Sequence, residues 1–285
     1  MKKIFKIMTL CLFMLGLSGC GKDSLSNMQV YTTIYPIEYL TIYLYGENHQ
    51  VSSIYPKGAD ISTYELTDMQ KENYSKGGLF VYNGLTSEKE LAREFLNRNP
   101  DLLLIDVAYG LNYEYTIEEL WLSPNNFLML AKNIRNNLID YTNSTVLIES
   151  IEQKYSEIEE ELSFMDAELR SVATEAQTEG TATLVVSSNK LAFLSNYGFD
   201  VIILNEDANG EAIQDGFDDG TYTDFYLCDT DLKTEFITNL ESEYDANIIS
   251  VDTMYTISDE EANNNETYLT IMRDFIDNIR NTTLG

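Results

Sequence analysis

The sequence predicts an α/β protein of two lobes, each built on a parallel sheet, joined by one long rigid helix with a cleft between the lobes. Three observations predict it. From Val146 to Ala176 apolar residues recur at Ile148, Ile151, Tyr155, Ile158, Leu162, Met165, Leu169, Val172 and Ala176. Those steps of three and four place them on one stripe of a helix. On both sides of this stretch short β-rich runs alternate with helical ones, the pattern of strands crossed over by helices. Finally, no Pro or Gly interrupts the long stripe, Thr142-Asn143-Ser144-Thr145 offers capping side chains before it, and Gly180 follows it.

Met1 to Gly19 has three lysines, Lys2, Lys3 and Lys6, then an apolar run from Ile7 to Leu17. This is an export signal, too short to span a bilayer as a mature helix. It ends in Leu17-Ser18-Gly19-Cys20, which resembles the bacterial lipobox, whose cysteine is acylated and becomes the new N-terminus. Cys20 is then a lipid anchor holding an extracytoplasmic protein to the cell membrane. Residues 20–27, mostly polar or small after Cys20, read as a tether.

Residues 28–143 form the first lobe. Its strands are expected at Val30 to Ile34, Val51 to Tyr55, Leu79 to Tyr82 and Leu102 to Asp106. Its helices are expected at Ile37 to Tyr45, from Thr67, at Ser87 to Asn97 and at Pro124 to Tyr141, the last with Ser123 as cap. Residues 144–178 are the linking helix, a rod of roughly 45 Å. Its outer faces carry Glu149, Glu152, Glu157, Glu159, Glu160, Glu161, Asp166 and Glu168, with few basic residues among them. A coiled-coil homodimer would set acid against acid, so the stripe is read as packing against both lobes of a monomer, with the acids as a solvated back.

Residues 179–285 form the second lobe. Strands are expected at Thr183 to Val186, Val201 to Leu204, Phe225 to Cys228 and Ile248 to Val251, and helices at Leu191 to Tyr197, Leu232 to Glu243 and about Asn263 to Arg280. The stretch Asn205-Glu-Asp207-Ala-Asn209-Gly210-Glu211 has oxygen side chains at alternate positions, like the start of an EF-hand loop. Gly216 stands where the closing Glu should be, so the stretch through Gly220 reads as a turn-rich acidic loop. In open α/β sheets ligands bind beyond the carboxyl ends of the strands, which here is the cleft between the lobes.

The whole chain has a formal charge of −29, and the mature chain, lacking the three leader lysines, is three charges more negative. Nucleic acid is a poor partner for such a surface. Cys11 leaves with the leader and Cys228 sits in an apolar run, so it is read as core. Nothing suggests an enzyme: the sequence has no HExxH, P-loop, GxGxxG or GxSxG, and no His beside a Ser or Cys.

Several stretches occur in the order seen in one family: Val30-Tyr-Thr-Thr-Ile-Tyr-Pro36, Tyr55-Pro-Lys-Gly-Ala-Asp60, Tyr64-Glu65, Val81-Tyr-Asn-Gly-Leu85, Leu120-Trp-Leu-Ser-Pro124, Tyr197-Gly198 and Val251-Asp252. The chain resembles the zinc- and manganese-binding lipoproteins of bacterial ABC importers, two α/β lobes on a rigid helix that deliver a metal to a permease. In that family three histidines, or two and a Glu, hold the metal with one acid. By motif these positions fall on Ser62, Glu119, Ser188 and Asp252, of which Asp252 alone keeps the family's residue type.

The sole histidine, His49, matches a stretch where the family's His is not a ligand. Two serines, a Glu and an Asp suit zinc poorly, whereas Glu119 and Asp252 with hydroxyls and water suit a hard divalent ion such as Mn²⁺, Ca²⁺ or Mg²⁺, or an organic cation. The other reading is a degenerate member that binds no transition metal, with Ser62 and Ser188 as helix caps and Glu119 as a solvated acid. Such a member serves as a surface interaction or adhesion lipoprotein, or takes a non-metal ligand. Trp121 is read as packing beneath the cleft.

Overall fold

The computed structural model describes Leu25 and residues 28–46 and 50–285; Cys20 and His49 lie outside the described residues. The first lobe holds β1 (Gln29–Thr32), α1 (Tyr35–Tyr45), β2 (Gln50–Ser53), α2 (Asp68–Ser75), β3 (Leu79–Tyr82), α3 (Glu88–Arg98) and β4 (Leu103–Asp106). Its strands form one parallel sheet in the order β2-β1-β3-β4, with Val30 opposite Val51 on one side and Leu79 on the other. Leu79, Phe80 and Val81 are all buried, as a parallel strand covered on both faces requires. Pro36 opens α1 and Gly46 ends it, while Thr67 and Gln70 close a reciprocal capping box at the start of α2.

A single-turn helix α4 (Glu119–Leu122) leads into α5 (Pro124–Asp140). Ser123 precedes Pro124 as expected but makes no capping bond. Its hydroxyl instead lies 3.2 Å from that of Tyr197 in the other lobe.

The linking helix α6 runs Thr145–Glu179, 35 residues or about 52 Å. Ser144 Oγ accepts from Leu147 N–H, and Gly180 closes the helix at φ 81°, a left-handed conformation that glycine adopts without penalty. Ile151, Ile158, Leu162, Met165, Leu169, Val172 and Ala176 of the sequence stripe are fully buried, with Ala173 beside them. The acidic back is only partly solvated: Arg135 pairs with Glu152, Arg273 with Glu161 and Arg280 with Glu168, tying α5 and the C-terminal helix to the rod.

The second lobe repeats the plan with β5 (Thr183–Val186), a 3₁₀ helix (Asn189–Tyr197), β6 (Asp200–Ile203), α7 (Glu206–Asp218), β7 (Asp224–Cys228), α8 (Glu235–Glu243), β8 (Asn247–Val251), α9 (Asp259–Asn263) and α10 (Tyr268–Leu284). Its parallel sheet has the matching order β6-β5-β7-β8. Cys228 is fully buried and its thiol pKa is pushed up to about 12, chiefly by burial, which fits a core residue.

The acidic stretch after β6 is a helix, not the loop expected from its glycines and acids. Asn205 caps it by accepting from Ala208 N–H, Glu206 and Asp207 sit where the helix dipole favours acids, and Ile213 and Phe217 bury its inner face. The two glycines mark close packing: a Cβ on Gly210 would lie 3.3 Å from the Phe236 ring, and one on Gly216 would lie 2.3 Å from the Tyr222 ring. Gly216→Ala is therefore expected to destabilise the chain by about 1–3 kcal/mol in denaturant unfolding, although the same change in an exposed helix would stabilise it. A stabilised variant would show that Tyr222 yields freely.

One large core runs through both lobes and the rod, from Val30 and Leu40 through Leu162 and Leu169 to Tyr226 and Ile276. Smaller cores cover the outer sheet faces, around Phe80 and Phe95 in the first lobe and around Phe217 and Phe225 in the second. Across the seam, Trp121 Nε1–H donates to the Thr253 carbonyl at 2.8 Å, and Tyr268 O–H donates to the Trp121 carbonyl at 2.6 Å. Among the described residues no helix is long and apolar enough to cross a membrane.

Candidate functional site

In each sheet the chain reverses direction of growth between its first and third strand, so loops leaving the carboxyl ends of the strands part there and leave a crevice. The two crevices face each other across a cavity of ≈ 640 Å³. From the first lobe it is lined by the loop Gly58–Ser62 after β2 and by Glu118. From the second it is lined by Lys190 after β5, Asp229 and Thr230 after β7, and Tyr255 and Thr256 after β8.

Two carboxylates from opposite lobes meet this space. Glu118 is only 6% exposed, and Oε1 accepts from the Tyr255 O–H at 2.7 Å across the seam. Asp229 Oδ1 accepts from Thr253 N–H at 2.9 Å and from its hydroxyl at 2.6 Å. Each acid thus has one oxygen fixed by the protein, and its other oxygen accepts no hydrogen bond among the described residues. Tyr255 feels both charges: burial foremost, then Glu118 and more weakly Asp229, push its phenol far above the ordinary range. Asp60 is a third acid at the exposed rim, turned onto its own loop by Ser62 N–H at 2.9 Å and the Ser62 and Thr63 hydroxyls at 2.6 and 2.9 Å, which hold its pKa down.

The one base in the cleft wall, Lys190, is paired with Asp231. Burial works against its charge, but the hydrogen bond and charge of Asp231 outweigh this and raise its pKa. Ser187 Oγ–H donates to the other Asp231 oxygen at 2.6 Å, so both oxygens of this acid are engaged by the protein.

The four positions that motif matching assigns to the family's ligands do not share one cavity. Ser62 lies on the cleft rim, exposed, and caps no helix; it closes the turn on Asp60. Glu119 is buried at 6% exposure and is not a solvated acid: Oε2 accepts from Glu114 and Tyr115 N–H at 3.0 and 3.2 Å, and Oε1 from Asn126 Nδ2 at 3.2 Å. Ser188 precedes the 3₁₀ helix without capping it and lines a neighbouring cavity with Ser187 and Asp231. Asp252 lines a third cavity with Glu261 and Glu266. Burial foremost, then the charges of Asp229 and Glu261, raise its pKa.

Motif spacing selected Glu119 over its neighbour Glu118. The signal that could have separated them is the run Glu114-Tyr115, whose free N–H groups at a turn need an acceptor and draw Glu119 inward. Lys190 was also missed, though a lone base just beyond the end of β5 among so many acids is an unusual placement.

Among the described residues no three His, Cys, Asp or Glu side chains come together as a group that could hold a metal ion. The cleft offers oxygen donors and no imidazole or thiolate, a set that fits zinc poorly. Its wall carries three acids, Asp60, Glu118 and Asp229, against one base, Lys190.

The chain is 24% identical over 191 residues to the iron-binding protein YfeA of Yersinia pestis, a match covering 64% of this chain and 60% of YfeA. Its fold is that of the metal-dependent lipoprotein YcdH of Bacillus subtilis, with TM-score 0.76 at 18% identity, covering 91% of this chain and 100% of YcdH. The Zn(II)-bound ZnuA-like domain of AdcA from Streptococcus pneumoniae shares it too, with TM-score 0.73 at 16% identity over 90% of this chain and 99% of that domain. The family model for ZnuA, zinc-uptake complex component A, periplasmic, matches residues 30–282, and with the two-lobe fold already described this chain belongs to that family of solute-binding proteins.

Proposed function

We propose that this chain is the extracytoplasmic solute-binding component of an ABC importer, held to the membrane by a lipid on Cys20, that captures a cation in its interlobe cleft and presents it to a permease. The leader ending at Gly19 and the cysteine after it support the anchor. Family membership supports the permease partner. The observation that carries the cation is the pair Glu118 and Asp229, brought from opposite lobes to one cavity, each with a carboxylate oxygen that accepts no hydrogen bond among the described residues. A cation there bridges the lobes and is met by a carboxylate from each.

Hard ions such as Mn²⁺, Ca²⁺ and Mg²⁺ suit these oxygens better than zinc does. The test is thermal unfolding of the purified chain against a panel of cations, divalent metals and small organic ammonium compounds, since a ligand that binds only the folded state raises Tm by mass action. At least one is expected to raise Tm by several degrees, and Glu118→Gln to remove the shift. No shift with any cation would overturn this reading and leave a surface interaction or adhesion lipoprotein.

A further inference from the structure

A second cavity of ≈ 330 Å³, the inner chamber, adjoins the cleft on its first-lobe side: it shares Ile61, Ser62 and Tyr255 with it and is lined also by Asn83 at the carboxyl end of β3, Tyr55 and Trp121. Asn83 is 1% exposed. Its Oδ1 accepts from Leu85 N–H at 3.0 Å, which fixes the orientation of the amide, because the reverse would set N–H against N–H. The Nδ2 group is then left buried with no acceptor among the described residues, on a residue that lines the cavity. A buried donor without a partner costs folding free energy that a ligand oxygen would recover.

The outer and inner chambers ask for different chemistry. The outer one presents the free oxygens of Glu118 and Asp229 to a positive charge. The inner one presents an N–H donor and aromatic walls, which a metal ion cannot use, since an amide N–H points positive charge at it. Together the chambers have the size of small-molecule sites and far exceed what an ion needs.

We propose that the cleft takes an organic cation: an ammonium or guanidinium group held between Glu118 and Asp229, joined to an uncharged oxygen-bearing end that accepts a hydrogen bond from Asn83 Nδ2. This rests on the reading of the cleft as a cation site and names the class of its solute. The structure assigns the two ends to different residues, so they can be tested apart.

The experiment is isothermal titration of the full chain in detergent with L-argininamide, choline, agmatine and spermidine, and separately with MnCl₂. L-argininamide, with a guanidinium and a carbonyl, is expected to bind. Glu118→Gln is expected to weaken it at least about tenfold. Asn83→Asp keeps an acceptor for Leu85 N–H but removes the donor, and is expected to weaken L-argininamide about tenfold while not weakening agmatine, which has no uncharged oxygen and can only gain from the added carboxylate. Equal loss for both would overturn the role of Asn83. Glu118-dependent binding of Mn²⁺ with none of the four organic cations would overturn the organic class while leaving the cation cleft intact. No binding by any probe would overturn both.

Discussion

Trp121→Ala is expected to cost about 3–5 kcal/mol of stability, read as a lowered denaturant midpoint. The indole is 1% exposed and is the largest fully buried side chain of the described residues. It belongs to α4 in the first lobe, yet its Nε1–H donates to Thr253 in the second, and its ring meets that of Tyr255 edge-on at 5.1 Å between centroids. Tyr268, packed face to face with Phe127 at 3.7 Å, donates to the Trp121 carbonyl from α10. The residue is thus a pin through the seam, and its loss opens a cavity in the core and leaves the rod and the remaining seam bonds, such as Tyr255 to Glu118 and Ser123 to Tyr197, to hold the lobes. Trp121→Phe separates the two contributions: it keeps most of the volume but leaves the Thr253 carbonyl unpaired, an expected cost of about 1–3 kcal/mol. If Trp121→Ala costs less than about 1 kcal/mol, the lobes are held by the rod and the other seam contacts and not by this indole.

Glu88→Gln is expected to change the pH dependence of stability. The Glu88 carboxyl is 7% exposed, and burial above all pushes its pKa up to about 7. The Asn83 N–H, bonded at 2.7 Å, pulls the other way, and the charge of Asp106 adds to the rise. In the unfolded chain a glutamate ionises near its ordinary value of about 4.3. Between that pH and about 7 the folded chain keeps a proton that the unfolded chain gives up, so this residue costs stability as pH rises through the window and no more above it.

Relative to wild type, Glu88→Gln should therefore gain on the order of 3 kcal/mol on going from pH 4 to pH 8, since its amide cannot ionise and can still accept from Asn83. Urea unfolding of both proteins across that range reads the difference directly. A difference that stays flat would mean the carboxyl ionises freely in the folded chain. Asp252, whose pKa is raised by its own burial and acidic neighbours, adds a slope of the same sign to both proteins and cancels in the comparison.

The architecture was legible because it is written in periodicity. The three-four stripe of α6 and the β-rich runs around Leu79 and Thr183 specify which faces are buried, and burial leaves little choice of element. The stretch that became α7 was misread because Gly210 and Gly216 signal a turn when only backbone propensity is weighed. In the fold they give Phe236 and Tyr222 room to approach, a tertiary reason invisible along the chain.

The site was half legible for a related reason. A motif fixes where a backbone position falls, and Ser62, Glu119, Ser188 and Asp252 all fall near the carboxyl ends of strands or on the connections beside them. Direction is set by local hydrogen bonds: Glu119 turns in to the N–H groups of Glu114 and Tyr115, Asp252 packs with Glu261, and Glu118 is left facing the cleft. With imidazoles absent from all four positions, nothing keeps them converged on one ion.

The composition of the cleft as a cell fills it gives the most direct test. The chain and its Glu118→Gln variant would be purified without chelator from the cells that make them and weighed intact by native mass spectrometry. One positively charged solute per wild-type chain, absent from the variant, is the expected result. Stoichiometric zinc retained equally by both proteins would contradict the assignment of Glu118 and the cleft around it.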